Sequence, residues 1–231
     1  MEKSERPFTS ALTKREIIAV FVYFPLHIVL LPMLLFRLWG DVVTESMINF
    51  IYYAVGAVYM LIFCWGILRR DFDVICERPL RVLIVVFAAY ALVLCFNFVF
   101  ALIVQFFPDI IINPNNQAVM DYATADFGPM AAAATFLAPI VEELLFRAGV
   151  FGLVRRRNRV LAYEVSMLLF ALYHVWGYIA IDPIYLIYLL QYLPAAWALC
   201  YCYERTNSVW GCIFLHMLVN GVAMNAAQLL S

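Results

Sequence analysis

Seven runs of apolar residues, each near or above the ~20 residues that cross a ~30 Å hydrocarbon core, set the pattern of this chain. They lie at about Ile17 to Trp39, Met47 to Leu68, Val82 to Phe107, Pro129 to Val154, Val160 to Ala180, Ile184 to Tyr203 and Val209 to Leu230. Runs of this length predict membrane-spanning helices, and so an all-α, polytopic bundle of about seven spans. The stretch Pro108 to Gly128, long for a bundle connector, reads as a loop over the outer mouth of a cavity. Pro25 and Pro32 are expected to kink the first span, because each lacks an N–H and crowds the turn before it. His27, between them, reads as a histidine satisfied by a carbonyl that such a kink frees.

Composition agrees with the pattern: 66% of residues are hydrophobic and 13% charged, and mean hydropathy is +0.90. An integral membrane protein is predicted. A net charge of -1 argues against nucleic acid as a partner, which needs clustered cations on an accessible face. Of the six cysteines, Cys64, Cys95, Cys200, Cys202 and Cys212 fall in apolar runs and Cys76 in a basic loop, so they read as small buried hydrophobes without bridges. The polar opening, MEKSERPFTSALTKRE, is too long for a signal peptide's front and is expected to be retained.

The basic residues alternate with the spans. Lys3, Arg6, Lys14 and Arg15 precede the first; Arg69, Arg70, Arg78 and Arg81 follow the second; Arg155, Arg156, Arg157 and Arg159 follow the fourth; Arg205 follows the sixth. The opposite connections carry Asp41, Glu45, Asp109, Asp121, Asp126 and Asp182, with Arg37 near that edge. The positive-inside rule then predicts a cytoplasmic N-terminus and an outer C-terminus, in the cell (inner) membrane. Tyr178, Tyr185 and Tyr188 suit an interfacial belt.

Polar residues inside the runs collect in the second half. Ala138 to Phe151, APIVEELLFRAGVF, holds Glu142, Glu143 and Arg147, and a charge at the centre of a membrane helix costs at least ~2.5 kcal/mol, which makes such a cluster a candidate functional site. His174 lies in the fifth run, and His216 and Asn220 in the seventh; Asn97 and Gln105 in the third are lesser candidates. Glu143 and Arg147 are spaced i,i+4 in the order that favours a pair on one face, which reads as a structural ion pair. That leaves Glu142 pointing about 100° away round the helix axis. His216 and Asn220 also share a face. At 1.5 Å per residue, Glu142 and His174 lie at similar depths, roughly 20 and 22 Å from the basic ends of their helices, whereas His216 comes out shallower at roughly 12 Å. Two histidines, an asparagine and an unpaired glutamate can position and deprotonate a water.

At these residues the sequence resembles the CPBP family of intramembrane proteases, which includes the CAAX prenyl endopeptidases and the bacteriocin-processing or immunity proteins of Abi type. The family pattern appears in order as Glu142-Glu143-Leu-Leu-Phe-Arg147, Phe170-Ala-Leu-Tyr-His174 and His216-Met-Leu-Val-Asn220. The resemblance covers about Pro129 to Leu230, which divides the chain into N-terminal helices with an outer loop (1–128) and a CPBP-like catalytic core (129–231). It implies hydrolysis of a peptide bond in a membrane-associated peptide or protein substrate. By analogy Glu142 and His174 activate the water and His216 and Asn220 bind it or stabilise the oxyanion, with Glu143, Arg147 and Phe170 in support. The cofactor is either none or zinc, for which Glu142, His174 and His216 would be the ligands. Asn220 is a poor zinc ligand and no His-Glu-x-x-His occurs, which favours the metal-free form. Two other classes fit the same residues: a non-catalytic membrane scaffold or regulatory partner, and a small transporter or proton relay.

Overall fold

The computed structural model describes residues 8–106 and 113–230, so Lys3, Arg6, Phe107, Pro108 and Asp109 lie outside the described residues. The chain is an integral membrane protein built as a helix bundle, with no strand among the described residues. We number its helices α1 (Lys14–Trp39), α2 (Glu45–Phe63), α3 (Trp65–Glu77), α4 (Pro79–Val104), α5 (Pro114–Ala125), α6 (127–155), α7 (Arg159–Ile179), α8 (Leu189–Thr206, entered by a 3-10 turn at Pro183–Tyr188) and α9 (Val209–Leu230). Six of these, α1, α2, α4, α7, α8 and α9, are long and apolar enough to cross a membrane. The expected fourth span, α6, is one helical path broken by π-helical turns at Ala133–Leu137 and Leu144–Phe151. It lies at the centre of the bundle: every residue from Val141 to Gly152 is buried.

Caps set many boundaries. Thr13 and Glu16 form a reciprocal capping box, Thr44 caps α2 and Asn158 caps α7. Between α8 and α9, Asn207 takes the left-handed conformation (φ 55°) that ends a helix in one residue, and its side-chain oxygen accepts from the amides of Thr9 and Ser10.

The structure corrects four expectations. The second run breaks at Cys64, whose φ of -109° and ψ of 15° end α2, and Trp65 starts a separate amphipathic helix. Its amino end is held by Glu16 of α1, which accepts from the Ile67 amide at 2.7 Å, a carboxylate at a helix N-terminus. Hydrophobicity runs straight through this bend, so periodicity alone does not reveal it. The stretch after Asn113 is helical where a loop was expected: the Asn113 side chain accepts from the Asn115 and Asn116 amides, with Pro114 in the first turn. Four cysteines are buried but Cys76 and Cys95 are exposed, and all six are free. Tyr188 is buried, stacked near Tyr185, and does not serve the interfacial belt.

The depth mismatch at His216 resolves in favour of a helix that starts below the surface. Ser208 and Val209 are buried, and Asp71 of α3 accepts from the Val209 amide at 2.8 Å while its carbonyl accepts from the Ser208 hydroxyl. Asp71 also accepts from Ser10, whose hydroxyl is bonded to Tyr203. Burial pushes the Asp71 carboxyl up to about 6, with the Ser10 and Val209 hydrogen bonds pulling the other way. A carboxyl held above its ordinary range favours the folded state most when protonated, so its contribution is complete below about pH 4 and is lost as pH rises through about 6. Thermal unfolding in detergent should therefore show stability falling between about pH 4 and 6. Asp71→Asn, which keeps an acceptor oxygen for both donors, should flatten that slope by an amount on the order of 2 kcal/mol. An unchanged slope would mean that other groups set it.

Candidate active site

Two prolines prepare the site's backbone in the same way. In the π turn at Leu26–Leu30 the Leu31 amide bonds to the Leu26 carbonyl, and Pro32 has no N–H for the carbonyl of His27, which is left over. In the π turn at Ala133–Leu137 the Ala138 amide bonds to Ala133, and Pro139 strands the carbonyl of Ala134. A side chain from another helix takes each orphan. Tyr52 of α2 donates to the His27 carbonyl at 2.8 Å, and Asn220 of α9 donates to the Ala134 carbonyl at 2.9 Å. Asn220 is thereby fixed against α6 with its second amide hydrogen still available.

Glu142 is buried at 3% exposure, on the wall of a cavity of about 670 Å³. His174, His216 and Asn220 line the same cavity. The Glu142 Oε2 atom lies 3.9 Å from His174 Nε2 and 4.0 Å from His216 Nε2, and among the described residues no group hydrogen-bonds to it. The partners of the far ring nitrogens assign both tautomers. His174 Nδ1 donates to the Phe170 carbonyl at 2.8 Å, and His216 Nδ1 donates to Glu143 Oε1 at 2.7 Å. Both rings thus donate through Nδ1 and turn Nε2 towards Glu142. Behind His216, Glu143 Oε2 faces Arg147 Nε at 3.1 Å, an ion pair with both side chains fully buried, and the guanidinium lies 4.0 Å over the Phe170 ring. Glu143 thus carries a second task beyond the expected ion pair: it holds and polarises His216. Phe170 serves twice, through its carbonyl and its ring.

The first half of the chain contributes groups absent from the expected set. Tyr53 of α2 donates to Glu142 Oε1 at 2.9 Å. Its one hydrogen is committed there, so Tyr173 donates to the Tyr53 oxygen at 3.1 Å, and His27 Nε2 donates in turn to Tyr173 at 3.1 Å. The chain His27–Tyr173–Tyr53 therefore runs its donors in one direction, ending on Glu142 Oε1. This corrects the expectation for His27, whose buried ring bonds a tyrosine while its backbone carbonyl serves Tyr52. Tyr192 stacks on His174 with ring centres 4.5 Å apart and bonds Asn115 and Asn116 of α5. Asn97 and Gln105 are exposed and take no part.

The donor set has the chemistry of a zinc site, but its spacing does not fit one. Ligands about 2.0–2.1 Å from a tetrahedral ion stand roughly 3.3 Å apart, less than the 3.9 and 4.0 Å found from Glu142 Oε2 to the histidines. Among the described residues no three His, Cys, Asp or Glu side chains converge on a metal position. The spacing suits a water bridged by hydrogen bonds.

With this geometry in hand, comparison with known proteins finds that residues 124–222 match the family described as Type II CAAX prenyl endopeptidase Rce1-like. That segment is less than half of the chain, and the likeness to the family is confined to it. It contains Glu142, Glu143, Arg147, Phe170, His174, His216 and Asn220, but not His27, Tyr52 or Tyr53. Among curated proteins, the chain is 31% identical over 107 residues to "Putative membrane peptidase YdiL" of Bacillus subtilis (strain 168), covering 46% of this chain and 40% of that one. It is 32% identical over 97 residues to "UPF0177 protein YxdF" of Lactococcus lactis subsp. lactis (strain IL1403), covering 41% and 48%. The matched segments span less than half the length of these relatives. No solved structure matches.

Proposed function

We propose that this protein is an intramembrane endopeptidase that hydrolyses a peptide bond of a membrane-associated substrate with a water activated by Glu142. One observation carries the reading: a buried Glu142 carboxyl oxygen, without a hydrogen-bond partner among the described residues, faces the Nε2 atoms of two imidazoles in a cavity large enough for a peptide segment. A packing role leaves such an oxygen without purpose, because a buried acceptor without a donor is costly.

In the proposed reaction a water gives one hydrogen bond to Glu142 Oε2 and the other to His174 Nε2, leaving an oxygen lone pair to attack the scissile carbonyl. Glu142 takes the first proton as the carbon–oxygen bond forms. His216 is held by Glu143, which accepts from its Nδ1 and keeps Nε2 turned towards the same water. With a proton from solvent on its Nε2, His216 and the free amide hydrogen of Asn220 donate to the oxyanion. Glu142 then returns its proton to the leaving nitrogen as the carbon–nitrogen bond breaks, giving a carboxylic acid and an amine; the acid's proton then passes to solvent and leaves the carboxylate.

A transporter or proton relay needs a polar route to both faces. Here the cavity stops at Glu142, beyond which Leu144, Leu145, Phe146 and Phe151 are fully buried. The test is reconstitution of purified protein with membrane peptides and mass spectrometry of the products: new paired termini support hydrolysis, and intact peptides count against it. Within that assay Tyr53→Phe, which removes both the donor to Glu142 Oε1 and the acceptor for Tyr173, should lower kcat about tenfold with KM near wild type. A rise in KM alone would assign Tyr53 to substrate binding.

A further inference from the structure

On every helix that lines the cavity, the lining residues fall on one end of the bundle. Phe36 stands near the end of α1, Asn49 near the start of α2, Met130 near the start of α6, Tyr178 near the end of α7 and Met224 near the end of α9. None comes from the opposite end, where Arg69, Arg70, Arg78, Arg81, Arg155, Arg156, Arg157, Arg159 and Arg205 gather. By the positive-inside rule the arginine end is cytoplasmic. Below Glu142 the bundle is closed by fully buried apolar side chains. Above it the cavity runs up to α5, which is pinned across the mouth where Asn113 donates to Gln191, Asn115 donates to Tyr192 and Ser46 donates to the Tyr122 carbonyl.

Charge describes what comes to this mouth. Apart from Glu142 and the two histidines, the polar groups lining the cavity are amides and phenols, and among the described residues no lysine or arginine lines it. Around the mouth end Asp41, Glu45, Asp121 and Asp182 are exposed, against Arg37. A rim of one sign attracts the opposite charge while an uncharged interior leaves the bond's neighbours neutral.

Resting on the proposed peptidase reading, we infer that the site takes its substrate from the non-cytoplasmic face, and that this substrate is a peptide segment whose cleaved bond sits among uncharged residues with basic residues flanking them. The two elements of the claim are the side of entry and the charge of the flanks. Neither follows from the reaction itself, which the same residues would perform on a peptide arriving from the cytoplasm.

The chain carries its own reporter for the test, because Cys76 is exposed on α3 at the arginine end. In a Cys95→Ser background, Ala223→Cys or Asn49→Cys places a thiol in the cavity wall away from the reacting groups. A membrane-impermeant maleimide should label either cavity thiol only in right-side-out vesicles and Cys76 only in inverted ones. Labelling of the cavity thiols from the same side as Cys76, or from both sides, overturns the entry side. Protection of the Ala223→Cys thiol is then measured with two synthetic apolar peptides that differ only in lysine or glutamate flanks. The lysine peptide should half-protect at a concentration at least about tenfold lower at low salt, with the gap narrowing as salt is added. Equal protection, protection by the glutamate peptide alone, or none overturns the charge claim. Neither readout needs turnover, so a chain that labels and protects as expected yet cleaves nothing refutes the hydrolysis and leaves this inference standing.

Discussion

Glu142→Gln should reduce cleavage roughly 10²–10⁴-fold, the range that removal of a general base produces, and leave the protein folded with substrate affinity close to wild type. The geometry gives the reason. Glutamine keeps a carbonyl oxygen at the Oε1 position, so the Tyr53 donor 2.9 Å away stays satisfied, and the neighbouring helices lose no contact. What disappears is the one oxygen that can take a proton from a water between His174 and His216. Replacement of His174 by glutamine should fall less, because it orients the water without receiving the proton. Rates of single turnover and binding, measured on the same preparations, separate a lost base from a damaged pocket. A Glu142→Gln protein with full activity would remove Glu142 from the chemistry.

Glu143→Gln should behave differently, losing both stability and rate. It leaves Arg147, fully buried, without its counter-charge, a defect of roughly 3–5 kcal/mol in buried pairs. It also replaces the carboxylate behind His216 Nδ1 with a neutral acceptor, which weakens the ability of that ring to hold a second proton. The combined variant Glu143→Gln with Arg147→Met removes the stranded charge and should recover most of the lost thermal stability. Its activity should stay low, because nothing restores the polarised His216. Recovery of both would reduce Glu143 to an ion-pair role; a single variant as stable as wild type yet inert would give the catalytic role to Glu143 instead of Glu142.

The parts legible in the sequence were those that are expensive in a membrane. Glu142, Glu143, Arg147, His174, His216 and Asn220 stood out because ionisable or amide groups inside apolar runs are costly, and their i,i+4 spacings survive as an ion pair and as one face of α9. The run lengths gave the spanning helices for the same reason. Tyr52, Tyr53, Tyr173 and Tyr192 escaped notice because a tyrosine is amphipathic: buried in a span or sitting at its edge, it costs little and marks nothing. A usable signal existed in the adjacent Tyr52-Tyr53 pair, deep in a run that holds few other polar groups, and in His27 placed five residues before Pro32. The partners of the orphan carbonyls required the tertiary structure, since Pro32 and Pro139 announce that a carbonyl will be freed but not which helix supplies the donor. Cys64 and the helix at Pro114–Ala125 were hidden for opposite reasons. At Cys64 the apolar pattern continues through a bend, and at Asn113-Pro114 a cap and first turn look like loop residues.

The central claim is that this chain adds water to a peptide bond through Glu142. Proteoliposomes holding the purified protein and the membrane-protein fraction of the cells that express it, incubated in water enriched in oxygen-18, test it most directly. The account predicts new C-terminal carboxylates that each carry one heavy oxygen from the cleavage step with the wild-type protein, and none above background with Glu142→Gln. New termini without heavy oxygen, or the same labelled termini from the variant, would contradict it.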